Sequence, residues 1–442
     1  MRNILFLIFL TGTTQPVLLH AETNDVVVTL ERCLEMSFQK SPDFTRAQGN
    51  REMATADLRA TTAVLLPKVT VSTGYARSNN SALSNYASYG SLGAGGLTGF
   101  PSSAASNQYT TSLNVNQTLL DIGAWKDVSR SSYRNQAAGW TYQDAVSELS
   151  LRVKQAYFQV VRFQAALQAA RASVLQSEQQ DTVARGMAHV GALNRNELLK
   201  VEVRLNQARI QSLTAENNLL NSRQALGLLI GVPQLVYADT TLVEEAFSPL
   251  PAEDSLIAEA LEFNPACHSA LLALDAAHDG TSAARFRNYP TVSGTYSYGY
   301  SDAKEVSGVT DWENHDYWSV GVNLNWPLFD GGRNHAASIQ AKAQSRTAEA
   351  DLFQARQSAI NDLRQALGEL RTAQEGLQLV DQLLPQAEED YRLVRRKFEL
   401  GSASALDLVT SQTSYDQAEE QRINVLCDYR IARAKIQRIL GK

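Results

Sequence analysis

The sequence predicts a mainly α chain with a transmembrane β part, written as two tandem repeats of one β-hairpin and one long helical hairpin each. Three observations predict it. Landmarks recur at a nearly fixed offset, hydrophobic periodicity in each half switches between helix and strand, and no run of ~18 apolar residues exists after the first residues.

The duplication comes first. Ser41-Pro42 corresponds to Asn264-Pro265, and Leu66-Pro67-Lys68-Val69 to Tyr289-Pro290-Thr291-Val292, at an offset of 223 (264 − 41 and 290 − 67). Leu120-Asp121 corresponds to Phe329-Asp330 at 209 (330 − 121). Glu197-Leu198 matches Asp407-Leu408, and Ile230-Gly231 matches Leu440-Gly441, both at 210 (407 − 197 and 441 − 231). The drop of 14 (223 − 209) places a longer insert in the first half, Arg77 to Gln108. Its Ser, Asn, Gly and Tyr content reads as an exposed loop. Gly93, Gly95 and Gly99 lack the spacing and the strand–helix context of a phosphate loop. The repeats are expected at 22–231 and 256–442, with 232–255 as a linker between them.

The β-hairpins are expected at about 68–118 and 291–327. Val292, Gly294, Tyr296, Tyr298 and Tyr300 share one strand face, and Trp318, Val320, Val322, Leu324 and Trp326 share a face of the return strand. The opposite faces carry small uncharged polar residues, and aromatics crowd the strand ends. Such a pattern suits a lipid-facing barrel wall better than a soluble half-buried sheet. Four strands cannot close a barrel, because known barrels begin at about eight. The edges must therefore pair with other copies of the chain, two copies giving eight strands and three giving twelve.

The helical hairpins are expected at about 124–231 and 333–441. Leu149, Val153, Ala156, Val160, Phe163, Leu167, Ala170 and Val174 alternate spacings of four and three, and Leu198, Val201, Leu205, Ala208, Ser212, Ala215, Leu219, Ser222 and Leu226 repeat the habit. This is a heptad seam with small knobs. Val190-Gly191 and Leu400-Gly401 turn the chain back. Pro385 is expected to kink or interrupt its helix.

Residues 1–21 read as a secretory signal, with Arg2 before the apolar run Ile4 to Leu10 and Ala21 at the cut. The net charge of −6 and the absence of basic runs argue against nucleic acid. Cys33, Cys267 and Cys427 are odd in number, match no zinc spacing and read as small packing residues. The six histidines form no ligand pattern, and no nucleophile elbow occurs, so neither an enzyme nor a cofactor is expected.

The duplicated register resembles the TolC-like family of outer-membrane efflux and secretion channels, the outer membrane factors. Its most specific pieces are Trp326-Pro327-Leu328-Phe329-Asp330-Gly331-Gly332-Arg333 and Gly401-x5-Asp407-Leu408, echoed by Gly191-x5-Glu197-Leu198. The resemblance implies a homotrimer with a twelve-stranded barrel set in outer-membrane lipid and a twelve-helix periplasmic tunnel. It also implies a periplasmic adaptor and an inner-membrane RND or ABC transporter as partners, in an efflux pump or a type I secretion system. It assigns Glu197, Asp407, Thr410 and Phe398 to a periplasmic constriction or gate. It assigns Val190, Gly191, Leu400 and Gly401 to adaptor-docking hairpin tips, and Pro327, Asp330, Gly331 and Gly332 to the turn that leaves the barrel. The chain departs from the family where Phe398 replaces a latch tyrosine, Ala403 an arginine and Thr410 a second aspartate. A ring of Asp407 and Glu197 carboxylates would favour cations and push some of their pKa values up, with Lys200 neutralising part of it; helix capping is the competing role for both. A coiled-coil stalk or adhesin without transport is the alternative; it explains the heptads but not the inserted amphipathic hairpins. A simple porin would lack the helical hairpins.

Overall fold

The computed structural model describes residues 26–79, 105–232, 236–239, 252–302 and 315–442. The expected signal segment 1–21 and the glycines at 93, 95 and 99 lie outside them. In chain order the described residues form β1 (Val26–Val28), α1 (Leu30–Lys40), α2 (Pro42–Ala63), β2 (Lys68–Asn79), β3 (Ala105–Leu120), α3 (Ile122–His189) and α4 (Arg195–Ile230). They continue as β4 (Val236–Ala238), α5 (Glu253–Phe263), α6 (Pro265–Phe286), β5 (Thr291–Asp302), β6 (Asp316–Asn325), α7 (Arg333–Glu399) and α8 (Ala405–Ile439). The same order of two shorter helices, a hairpin of strands and two long helices is written twice. No described helix is long and apolar enough to cross a membrane. The chain divides into two units. One holds 1–45, 148–250 and 365–438; the other holds 46–147, 251–364 and 439–442.

The second of these units contains a four-stranded antiparallel sheet in the order β2-β3-β5-β6. Its register puts like with like. Val69, Val115, Tyr296 and Val320 form one cross-strand row, and Val71, Leu113, Tyr298 and Trp318 the next. Because successive side chains alternate faces, these rows make one continuous apolar face. It is uncovered in the single chain, with Trp318 70% and Val71 73% exposed. The opposite face carries hydroxyls and amides. Ser72 and Ser112 share a 2.9 Å hydrogen bond, and the Ser297 hydroxyl donates to Asn114 Oδ1 at 2.8 Å. The strands reach further than the sequence suggested: Arg77–Asn79 pairs with Ala105–Asn107, so both ends of the stretch read as loop are strand. The register slips between Thr118 and Leu120, a bulge where the first repeat leaves the sheet. Strands β2 and β6 end the sheet with one side of each unpaired among the described residues.

The other unit is built from α1, α4, α8 and the parts of α3 and α7 that fall within it, together with a small parallel sheet of β1 and β4. That sheet gives structure to part of the segment expected to be a linker. The heptad seam is buried as spaced: Leu149, Val153, Val160, Leu167 and Ala170 on α3 meet Ala215, Leu219 and Leu226 on α4. Cys33 and Cys427 sit in this same cluster as free, buried thiols, and burial pushes the Cys33 thiol up to about 11. Pro385 lies inside an unbroken 67-residue α7, against the expectation of a kink or break. Burial of Leu377, Val380 and Tyr391 on the same helix offsets the ~3 kcal/mol cost of an interior proline.

The duplication extends to a backbone contact. Gly231 ends α4 at φ +69°, and a Cβ there would collide with the Lys40 carbonyl of α1. Gly441 follows α8 at φ +72°, and its Cβ would lie 2.5 Å from the Phe263 carbonyl oxygen of α5. Left-handed geometry and close approach together demand glycine at both places.

Candidate functional site: hairpin tips and exit turns

All the tip residues belong to the unit that contains residues 148–250 and 365–438. Helix α3 ends in a glycine cap: Gly191 takes φ +76°, its N–H donates to the Ala188 carbonyl at 3.1 Å, and Ala192 N–H donates to Met187 at 2.8 Å. Helix α7 ends the same way. Gly401 takes φ +74°, its N–H donates to Phe398 at 2.9 Å, and Ser402 N–H donates to Lys397 at 2.8 Å. These bonds satisfy carbonyls that a helix end leaves open. The turns lift one apolar side chain each into solvent, with Val190 77% and Leu400 83% exposed.

The returning helices begin with caps that consume both expected constriction carboxylates. At α4, Asn194 Oδ1 accepts from the Glu197 N–H at 2.9 Å. Glu197 turns its own carboxylate across to the other hairpin: Oε1 accepts from Lys200 Nζ at 2.9 Å, and Oε2 accepts from the Ala405 N–H at 3.2 Å. Ala405 is the first residue of α8, so an anion of the first repeat sits on the positive end of a helix of the second. At α8, Ser404 and Asp407 form a reciprocal capping box. The Asp407 N–H donates to Ser404 Oγ at 3.1 Å, while the Ser404 N–H and hydroxyl donate to Asp407 Oδ2 at 3.0 and 2.7 Å. The Ser404 hydroxyl and amide hold the Asp407 carboxyl below the usual carboxylate range. That is opposite in sign to the upward push expected of a carboxylate ring, because within one chain the two donors dominate.

The four expected constriction residues thus divide. Glu197 and Asp407 come together through neighbouring residues Ala405 and Ser404. Thr410 is exposed on α8 and donates its hydroxyl to the Leu406 carbonyl at 2.8 Å. Phe398 is only 3% exposed and packs with Ala184, Val201, Tyr391, Ala405 and Leu408. A phenyl ring there has no hydroxyl to satisfy, so it fills the tip core instead of reaching a polar partner.

Sequence reading missed the polar layer immediately inward of that core. Gln180 of α3, 7% exposed, donates to Gln412 Oε1 of α8 at 2.9 Å and to the Tyr391 hydroxyl of α7 at 3.3 Å. Gln412 donates to Gln176 Oε1 at 3.1 Å. Asp416 of α8 accepts from Ser173 Oγ of α3 at 3.0 Å and from Arg204 of α4 at 2.7 Å. Burial pushes the Asp416 carboxyl up, against the pull of Ser173 and Arg204. The signal was in the sequence: Ala170, Ser173, Ser177, Gln180 and Ala184 keep the heptad spacing with polar residues in the seam.

The exit turn belongs to the other unit. Asp330 caps the start of α7, accepting from Gly332 N–H at 3.0 Å and Asn334 N–H at 2.8 Å, with Gly331 and Gly332 at φ +71° and +85°. Pro327 stands two residues beyond β6. Leu328 and Phe329 are exposed beside it, and the Trp326 indole N–H donates to the Asn288 carbonyl at 3.2 Å. In the first repeat Asp121 does the same work, accepting from Ala124 N–H at 2.9 Å. Among the described residues no cluster of His, Cys, Asp and Glu could hold a metal.

A family model described as outer membrane efflux protein matches residues 33–232 and 256–442. The outer membrane protein TolC of Vibrio cholerae is 25% identical over 343 residues, covering 76% of this chain and 77% of that protein. The alkaline protease secretion protein AprF of Pseudomonas aeruginosa is 24% identical, over 76% of this chain and 70% of its own. The fold is shared with the crystallised CmeC outer membrane channel of Campylobacter jejuni, at a TM-score of 0.79 and 19% identity, over 93% of this chain and 85% of that one.

Proposed function

The chain belongs to the outer membrane efflux protein family, and from that premise we propose that it is the outer-membrane duct of a three-part efflux pump or a type I secretion system. That it is an outer-membrane exit channel for efflux or secretion, with a periplasmic helical portion and no enzymatic role, follows from the family itself. The finer reading rests above all on the four-stranded sheet, whose continuous apolar face and two unpaired edges call for further copies in lipid. Three copies complete a twelve-stranded barrel surrounded by outer-membrane lipid. Their paired hairpins supply the twelve helices of the tunnel.

In this reading the tips are the docking points. Val190 and Leu400 offer apolar summits on glycine turns for a periplasmic adaptor, which links the duct to an inner-membrane RND or ABC transporter. Asp407 and Thr410, exposed on the returning helix, form the constriction together with Glu197. Phe398 supports it from within the tip core. Pro327, Asp330, Gly331 and Gly332 redirect the chain from barrel to helix. The transporter selects the cargo; the duct supplies a passage lined by exposed polar residues. A stalk or adhesin without transport has no use for the apolar hairpins.

The test is conductance. Purified protein reconstituted in a planar bilayer is expected to give discrete cation-preferring channels, and Val190→Asp with Leu400→Asp should abolish co-purification with the adaptor while leaving those channels intact. A protein that inserts but never conducts would overturn the duct.

A further inference from the structure

We propose that the turn leaving β6 is a seat for an anionic phospholipid of the periplasmic leaflet, with Leu328 and Phe329 among its acyl chains and Arg287 and Arg333 on its headgroup phosphate. The inference rests on the barrel reading above and adds the lipid chemistry that the periplasmic rim of that barrel selects.

The apolar sheet face does not stop where β6 ends. Val320, Val322 and Leu324 lead to Trp326, 58% exposed, and then to Leu328 and Phe329, 81% and 89% exposed. The same two positions of the first repeat, 209 residues earlier (328 − 119 and 329 − 120), are Leu119 and Leu120. They are 52% and 38% exposed, and Leu119 packs over Gly294 of β5, where an added Cβ would lie 3.4 Å from its Cδ1. The chain covers part of one pair itself and leaves the other bare, in line with the lipid-facing side of the sheet.

The bare pair stands on a fixed support. Asp330 caps α7, the Trp326 indole holds the Asn288 carbonyl, and Asn334 Nδ2 donates to the Arg287 carbonyl at 3.5 Å. These bonds set the exit turn beside residues 287–289, which lead into β5. Two guanidiniums and two amphipathic aromatics meet there. The Arg287 side chain is 53% exposed and only loosely paired, 3.8 Å from Asp127. Arg333 and Tyr289 are exposed, and the Arg333 guanidinium has no hydrogen bond or ion pair among the described residues. The neighbouring acids are engaged instead. Both Asp330 oxygens accept backbone N–H groups, Asp121 accepts from the Ala124 N–H, and Asp127 pairs with Arg130 at 2.9 Å.

Trp and Tyr settle at the headgroup level of a bilayer, and a guanidinium meets a phosphate with two parallel hydrogen bonds. A soluble anion would use the guanidiniums and leave Leu328 and Phe329 in water. A second copy of the chain would cover the apolar pair and leave the guanidiniums without a counter-charge. Only an amphiphile with an anionic head uses both.

The experiment is heat dissociation of the full-length oligomer, stripped of lipid in a mild non-ionic detergent, with phosphatidylglycerol, phosphatidylethanolamine or inorganic phosphate added back. Phosphatidylglycerol should raise the midpoint by about 5 °C, phosphatidylethanolamine by less than about 2 °C, and inorganic phosphate not at all. Arg287→Gln with Arg333→Gln should keep the lipid-free midpoint and lose most of the phosphatidylglycerol shift. Arg333→Gln alone, whose side chain ties nothing else down, should lose about half of it. Leu328→Ser with Phe329→Ser should weaken the apparent affinity for phosphatidylglycerol about tenfold. Equal shifts from the two lipids, or a phosphatidylglycerol shift that both arginine variants retain, would overturn the seat. An equal shift from inorganic phosphate would overturn it in favour of a free anion. A Ser-pair protein that is monomeric before lipid is added would overturn it in favour of a second copy on the apolar pair. Conductance of the same preparation separates the readings: a protein that gains heat stability from phosphatidylglycerol but never conducts loses the duct and keeps the lipid seat.

Discussion

Glu197→Ala removes a carboxylate that ties the first repeat to the start of α8. The Glu197 side chain is 19% exposed, and two contacts are lost. Its bond to the Ala405 N–H is a cap supplied from another helix, and losing a cap costs about 1 kcal/mol. Withdrawing a charge from a helix N-terminus costs a further ~0.5 kcal/mol. The pair with Lys200, whose side chain is 40% exposed, contributes little by comparison. Together about 1.5 kcal/mol corresponds to roughly a tenfold shift in the local opening of the α8 N-terminus. Exchange of the Ala405 to Leu408 amides reads it directly, and Glu197→Gln, which keeps an acceptor but loses the charge, should show about a third of the effect in free energy. Unchanged exchange at Ala405 in a correctly assembled Glu197→Ala protein would refute the clasp.

Gly231→Ala should lower stability by about 3 kcal/mol, from left-handed backbone and collision with the Lys40 carbonyl, whereas Gly186→Ala, in the exposed last turn of α3 with open space around it, should raise it by up to ~1 kcal/mol; thermal unfolding compares the two. Asp407→Ala should raise single-channel conductance or weaken block by divalent cations. The Asp407 carboxyl is held down, so its ionised, capped form is favoured above the ordinary carboxylate range and is lost only as pH falls through the lowered value. Ser404→Ala removes the hydroxyl donor, and the pH at which cation preference fades, read from reversal potentials, should move upward.

Much of the fold was legible because the chain states it twice. Period-two runs gave strand faces that the observed rows Val69–Val115–Tyr296–Val320 reproduce, and the four-three spacing from Leu149 gave the buried seam. Strand limits were less legible. Polar residues such as Ser78, Asn79 and Ser106 carry loop composition, yet ladder hydrogen bonds extend through them. Pro385 obeyed packing over propensity. At the tips, spacing located Glu197 and Asp407, but not the direction of the Glu197 carboxylate, which is set by how a second helix begins 208 residues later. Phe398 shows the converse: a motif position kept its place in the chain, but losing a hydroxyl turned it into core. The polar layer was passed over because glutamines and serines at seam positions break a hydrophobic pattern instead of making one.

One chain supplies four strands of a barrel, and only further copies can close it. Native mass spectrometry of the species extracted from outer membranes in mild detergent tests it most directly. The expected result is the mass of three identical chains, stable until heated and then collapsing to one. A conducting species of one chain's mass would contradict it.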